Sequence, residues 1–138
     1  ELAEGDIDVA ADPDLNLLAR ALQAMQVDNY AQAGRALTEF LDNYPNSARA
    51  ADARILLGDC LFELGRFNEA ISEYESFIQL SPDHPRVPAA MLSQGLAFIE
   101  LGTESDLQAA RVFLDDLIEL YPASAEADRA RRKIQILE

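Results

Sequence analysis

The chain has few of the residue types from which many functional sites are built. Its 138 residues include no tryptophan, one cysteine (Cys60), one histidine (His84) and one lysine (Lys133). A single cysteine forms no internal disulfide, and one Cys with one His gives no zinc-binding spacing. A glycine-rich phosphate loop and an apolar run long enough to cross a bilayer are also missing. We therefore predict no metal, no cofactor and no direct membrane insertion.

Positive charge is scarce as well. Eleven Lys and Arg residues stand against 25 Asp and Glu residues, which gives a formal net charge of −14. Nucleic acids are bound by Lys and Arg that neutralise phosphates, so this chain is predicted to repel them. Anionic membrane surfaces repel it for the same reason. The charge instead favours a basic partner.

A proline-containing turn recurs along the chain. Its three copies are Tyr44-Pro45-Asn46-Ser47, Ser81-Pro82-Asp83 and Tyr121-Pro122-Ala123-Ser124. A large apolar residue stands fifteen residues before each proline, namely Tyr30, Phe67 and Leu107. An alanine stands twelve residues before each proline, namely Ala33, Ala70 and Ala110. Self-similarity at this period predicts stacked repeats, in which each unit buries its apolar face against its neighbours.

Apolar residues within each repeat have helical spacing, as Leu57, Leu61 and Leu64 illustrate. The pattern predicts three helical hairpins and one final helix, and no strand pattern competes. The predicted helix pairs are 14–27 with 30–43, 48–64 with 67–80, and 86–101 with 105–120, and the final helix covers 124–137. Because Gly65 and Gly102 follow first helices, we expect left-handed backbone there. Short polar residues at helix starts are predicted N-caps: Asp12, Asp28, Ser47, Ser105, Asp106 and Ser124.

Residues 1–13 are acidic and contain no basic residue. We predict a poorly ordered tail, with a short docking strand at residues 7–9 as the alternative. The chain begins with Glu1 and not with Met. We therefore expect a processed product or an excised domain, preceded by a leader, a lipid anchor or a further domain.

The second repeat carries a known pattern of small and large residues, namely Gly58, Gly65, Phe67, Ala70, Tyr74 and Pro82. It resembles the tetratricopeptide repeat (TPR). The third and first repeats match at fewer positions, which are Gly95, Phe98, Gly102, Ala110 and Pro122, and Ala21, Tyr30, Ala33 and Pro45. The resemblance implies one all-α domain over 14–138, a right-handed superhelix of three TPR hairpins (14–47, 48–84 and 85–124) with a capping helix at 124–137. It also implies a non-catalytic, protein-binding scaffold within a multiprotein assembly.

A narrower resemblance rests on the two Tyr-Pro-x-Ser turns and on the alanines that follow them. These segments resemble those of TPR proteins of the bacterial envelope. The first such family is that of the C-terminal TPR domain of the periplasmic Tol–Pal-associated cell-division coordinator. The second is the outer-membrane assembly lipoprotein of the β-barrel machinery. Both imply a periplasmic or envelope-associated location, with a cytoplasmic location as the alternative.

In TPR proteins the first helices of the hairpins line a concave face. The resemblance places twelve residues of this chain there: Leu18, Leu22, Met25, Asp52, Ile55, Asp59, Phe62, Glu63, Leu92, Leu96, Ile99 and Glu100. This apolar groove with scattered acidic residues suits an extended or helical peptide with apolar anchors and some Lys or Arg residues. Three alternatives remain: burial between helices, coverage by residues 1–13, or contact between copies in a homo-oligomer. The last would make the chain a structural self-association module.

Chaperone-binding TPR domains bind a C-terminal carboxylate with Lys, Asn and Arg side chains. By the resemblance, the corresponding positions of this chain hold Leu18, Leu22, Ile55 and Leu92. These side chains donate no hydrogen bond, so we predict no binding of an acidic chaperone tail.

The remaining charged groups have no catalytic pattern. Acidic pairs such as Asp115-Asp116 are predicted to be solvated helix surface, and no enzyme activity is predicted. The basic run that starts at Arg129 and ends at Lys133 has two interpretations. It binds an acidic partner or the acidic tail of a second copy, or it offsets the dipole of its helix and the excess negative charge of the chain, and we favour the second interpretation.

Overall fold

A computed structural model describes residues 12–138, which form seven α-helices. These are α1 (Pro13–Gln26), α2 (Tyr30–Asn43), α3 (Ala50–Glu63), α4 (Phe67–Leu80), α5 (Val87–Leu101), α6 (Glu104–Leu120) and α7 (Ala125–Leu137). No strand occurs between residues 12 and 138, and the all-helical prediction is confirmed. The predicted acidic tail lies outside the described residues except for Asp12 and Pro13, as does the alternative strand at 7–9.

The helices stack in chain order. Each helix packs against the next one in sequence, and α5 also contacts α3 and α7. The first helices of successive hairpins therefore share one side of the stack, and α2, α4 and α6 form the other. The core runs along the stack without a break, from Leu17 in α1 to Ala130 in α7.

Close contact between the two helices of a hairpin depends on small residues. A Cβ atom added to Gly58 would lie 2.7 Å from Cε1 of Tyr74, and one added to Gly95 would lie 2.7 Å from Cδ2 of Leu114. Ala70 and Ala110 are fully buried in the facing helices. The sequence pattern of small residues therefore reflects helix separation, because a larger residue at either glycine overlaps a core side chain.

The inner turns of the hairpins require left-handed backbone. Gly65 and Gly102 have φ of 77° and 79°, as predicted. In the first hairpin Asp28 adopts φ 58° in place of a glycine, so it does not cap α2. Asn29 caps that helix instead, and its side chain accepts a hydrogen bond of 3.2 Å from the Gln32 amide.

Ser105 and Asp106 were also wrong as predicted N-caps of α6. Helix α6 begins one residue before Ser105, and Thr103 forms its capping box with Asp106. Asp12 is the N-cap residue of α1, with Pro13 in the first turn as predicted, but its side chain makes no cap hydrogen bond. Ser124 caps α7 as predicted, accepting a hydrogen bond of 3.0 Å from the Ala127 amide.

Ser47 does not cap α3, which begins at Ala50. Its hydroxyl donates a hydrogen bond of 2.8 Å to Asp14, and Arg49 donates one of 3.2 Å to the same carboxylate. The hydrogen bond from Ser47 is the main reason that the pKa of Asp14 lies below its ordinary value. These contacts tie the first proline turn to the start of α1.

Candidate functional site

Three of the twelve residues predicted to face a ligand lie in the core. Leu18, Ile55 and Leu92 are only 8%, 1% and 3% exposed. Helices α3 and α5 pack against several neighbours and α1 packs against α2, so all three side chains are buried between helices. The three residues are therefore removed from the candidate surface, and burial between helices, the first of the predicted alternatives, applies to them.

The other nine predicted residues are half-buried or exposed, and five of them line one cavity of about 420 Å³. The five are Met25, Asp59, Phe62, Glu63 and Leu96. Tyr30, Tyr74, Ser93 and Arg129 complete the lining, and we call this cavity the concave pocket. Leu22, Asp52, Ile99 and Glu100 do not line it.

The apolar part of the concave pocket consists of Met25, Phe62 and Leu96, contributed by the first helices of all three hairpins. The ring of Phe62 packs edge-on against Phe67, with ring centroids 5.1 Å apart and an interplanar angle of 82°. This contact holds the Phe62 ring in one orientation, since aromatic pairs favour that geometry. A half-buried aromatic ring beside two flexible apolar side chains is a suitable surface for an apolar anchor.

Asp59 is the most confined carboxylate of the pocket, with a side chain 33% exposed. The hydroxyl of Tyr74 donates a hydrogen bond of 2.6 Å to Oδ1, and Nη2 of Arg86 lies 3.7 Å from Oδ2. Burial raises the pKa of Asp59 above its ordinary value, although the Tyr74 hydrogen bond and the Arg86 charge act in the opposite direction. Burial and the Asp59 carboxylate raise the pKa of Tyr74 strongly, so its hydroxyl stays a donor.

The turn between α4 and α5 supplies side-chain partners for two of the α3 carboxylates. Besides the Arg86–Asp59 contact, Nε2 of His84 lies 3.3 Å from Oδ1 of Asp52. By contrast, Glu63 and Arg129 form no ion pair with any residue between 12 and 138. Among residues 12–138, the concave pocket therefore presents one free carboxylate, that of Glu63, and one free guanidinium, that of Arg129, to a ligand.

No observation in residues 12–138 indicates catalytic or metal chemistry. These residues contain no group of three His, Cys, Asp or Glu side chains placed to hold a metal. Cys60 is fully buried, and burial raises the pKa of its thiol to about 11. The thiol therefore stays protonated and is a poor nucleophile at neutral pH. None of the seven described helices combines the length and apolar character needed to cross a lipid bilayer.

From the sequence we named Arg129 only within a basic run, for which balance of the helix dipole was the favoured interpretation, although the repeat spacing contains a signal for its place in the concave pocket. It stands seven residues after Pro122, as Asp52 stands seven residues after Pro45. Aligning α7 with α3 would thus have placed Arg129 on the side of the first helices. Tyr30 and Tyr74 were recognised only as packing residues.

The raised pKa of Asp59 predicts a specific pH dependence. A carboxyl group whose pKa is higher in the folded state adds stability that is fully present below the ordinary pKa of 3.8 and is lost as the pH rises through the folded value. Asp59→Asn is neutral at every pH. We therefore expect the free energy of unfolding of the unmodified chain to fall relative to that of Asp59→Asn between about pH 4 and pH 7.

Urea denaturation followed by circular dichroism at both pH values measures this difference. Asp115→Asn, at an exposed carboxylate of α6, is the matched control and should show no such trend. A difference for Asp59→Asn that is constant, or that changes in the opposite direction, would contradict the effect of burial.

Comparison with known proteins places this chain in a family. The family model described as "YfiO: Outer membrane lipoprotein" matches residues 10–138. No curated protein matches the chain.

Two solved structures share the fold. The NMR structure of the first TPR domain of human RPAP3 has 22% identity and a TM-score of 0.71, covering 90% of this chain and 91% of that one. The first TPR of Spaghetti (RPAP3), bound to the HSP90 peptide SRMEEVD, has 22% identity and a TM-score of 0.72, covering 88% of this chain and 90% of that one.

These likenesses confirm the predicted TPR fold, and at 22% identity they show the fold alone. The matching family is an outer-membrane lipoprotein family, as is the second of the two narrower resemblances. The first, to the Tol–Pal-associated coordinator, has no support among the comparisons.

Proposed function

Because the chain belongs to the YfiO outer membrane lipoprotein family, we propose that it is a non-catalytic scaffold of a multiprotein assembly at the bacterial cell envelope. In this proposal the concave pocket binds a segment of another protein. The fold agrees with this role, since a related fold binds a short peptide in the Spaghetti complex. The family description is the basis for the envelope location.

The observation that carries the proposal is the lining of the concave pocket. Met25, Phe62 and Leu96 form an apolar surface on the side shared by the first helices, and the free charges of Glu63 and Arg129 line the same pocket. A partner segment with an apolar anchor and a neighbouring Lys or Arg would bury the anchor on Phe62 and pair its cation with Glu63. An acidic residue further along the segment would pair with Arg129.

We expect replacement of the apolar surface to abolish most of the binding. A library of soluble peptides that combine apolar residues with Lys or Arg provides the probes, and the tightest binder is measured by calorimetry. The double variant Phe62→Ser with Leu96→Ser should bind that peptide at least about tenfold more weakly, since buried aromatic and aliphatic anchors dominate such interfaces.

The matched control is the double variant Val27→Ser with Val112→Ser. These two residues are 74% and 58% exposed, and neither lines the concave pocket. It should bind as the unmodified chain does. If Phe62→Ser with Leu96→Ser keeps both its helical spectrum and full peptide binding, the pocket is not the binding site. Sedimentation tests the competing self-association function, because a stable monomer leaves the groove open whereas a dimer that dissociates on Phe62→Ser favours self-association.

A further inference from the structure

A second pocket opens on the other side of the stack, between α4 and α6, with α5 as its floor. Its volume is about 240 Å³, and it shares no residue with the concave pocket. Ile78, Met91, Phe113 and Leu120 line it, and Leu120 is 64% exposed. We call it the outer pocket.

Gln94 forms part of the lining of the outer pocket and is fully buried. Its Nε2 donates hydrogen bonds of 3.3 Å to the Ile71 carbonyl and 3.1 Å to Oε1 of Glu75. Its Oε1 has no hydrogen-bond partner among residues 12–138. A buried acceptor without a donor is unfavourable for folding, and it is a position at which a ligand donor would be stabilising.

The preceding repeat shows what packing alone requires at this position. Gln94 directly precedes Gly95, as Leu57 directly precedes Gly58, and both glycines make the close helix contact. Leu57 is buried as well. A leucine therefore satisfies the fold here, and the amide of Gln94 adds a polar group that packing does not need.

All charged residues that line the outer pocket are acidic. Glu75 lines it from α4 and Asp116 from α6, and none of its lining residues is basic. Asp116 forms neither a hydrogen bond nor an ion pair with residues 12–138, whereas Glu75 accepts hydrogen bonds only from the neutral amides of Gln79 and Gln94. The pocket thus combines apolar walls, two carboxylates and one unsatisfied acceptor.

We propose that the outer pocket binds an arginine side chain of a partner protein. The aliphatic stem of arginine packs on apolar walls, and its guanidinium stacks on aromatic rings such as Phe113. Five N–H donors in a fixed fork address several acceptors at once, here the carboxylates of Glu75 and Asp116 and the Oε1 of Gln94. A lysine has a single point charge and does not match this planar arrangement.

The probe is the peptide Ac-Ala-Leu-Arg-Ala-NH2, with otherwise identical peptides that carry Lys or Glu in place of Arg. Titrations followed by 1H–15N NMR report on the side-chain amide of Gln94. We expect the Arg peptide to shift this resonance saturably, the Lys peptide to bind at least about threefold more weakly, and the Glu peptide to cause no shift. Asp116→Asn should weaken the Arg peptide at least about fivefold.

Two controls separate this site from general attraction to an acidic protein. Asp115→Asn removes the neighbouring carboxylate outside the pocket and should leave binding unchanged. Phe62→Ser with Leu96→Ser should also leave it unchanged, so failure of the concave pocket and failure of the outer pocket are distinguishable. Gln94→Leu should fold with an equal or higher urea midpoint and lose the preference for Arg over Lys.

Several results would overturn the proposal. One is that Asp116→Asn and Asp115→Asn weaken binding of the Arg peptide equally, which indicates general attraction to an acidic surface only. Another is equal affinity for the Arg and Lys peptides. A third is a set of shifts confined to residues of the concave pocket.

Discussion

Tyr74→Ala should lower the free energy of unfolding by about 3–5 kcal/mol, the largest single-residue effect expected in this chain. The side chain is 1% exposed and is the largest of the fully buried ones. Its ring fills the space left by Gly58, which approaches it more closely than any residue with a Cβ could. The truncation therefore leaves a cavity between α3 and α4. It also removes the hydrogen bond to Asp59 and leaves a largely buried carboxylate without its closest donor.

Urea denaturation followed by circular dichroism measures the loss, since the chain contains no tryptophan. Tyr74→Phe is the control that separates the two contributions. It keeps the ring and removes only the hydroxyl, so a loss of about 1–3 kcal/mol is expected from the hydrogen bond to a charged group. A loss below about 1 kcal/mol for Tyr74→Ala would contradict the view that the Gly58–Tyr74 contact holds the second hairpin together.

The helices were predictable because local signals agree in this chain. Apolar spacing marks the helices, and the prolines and inner-turn glycines mark where they end. All predicted helix boundaries consequently lie within two residues of those observed. The caps were less predictable, because several polar residues stand near each helix start and only the backbone geometry selects among them. Asp28 is the example, since its left-handed backbone leaves the capping role to Asn29.

The candidate site was only partly predictable, for a reason visible in α3 and α5. These helices pack against neighbours on several sides, so their apolar residues do not fall on one face. Sequence alone therefore did not separate Phe62, which is half-buried in the pocket, from Ile55, which is in the core. Nor does local sequence show which charges are already paired. The pairing of Asp59 with Arg86 depends on how the α4–α5 turn folds back onto α3.

The acidic peptide SRMEEVD should not bind this chain saturably at concentrations up to about 1 mM. Its free energy of binding should therefore be weaker than that of a specific micromolar complex by at least several kcal/mol. The positions that the TPR resemblance assigns to a carboxylate clamp hold Leu18, Leu22, Ile55 and Leu92, and three of these four side chains are buried. No clamp position offers a donor. Glu63 and a net charge of −14 would in addition repel the peptide.

The matched probe replaces the two Glu and the Asp of that peptide by Lys and ends in an amide. We expect it to bind measurably, and to bind more weakly as salt is raised, because its cations would pair with the free carboxylate of Glu63. Calorimetry at low and at physiological salt compares the two peptides, and Glu63→Gln should reduce binding of the basic one. Saturable binding of SRMEEVD would mean that Arg129, the one free cation of the concave pocket among the described residues, is able to hold a terminal carboxylate by itself. Arg129→Gln would then abolish that binding, whereas the basic peptide would bind this variant at least as well as it binds the unmodified chain.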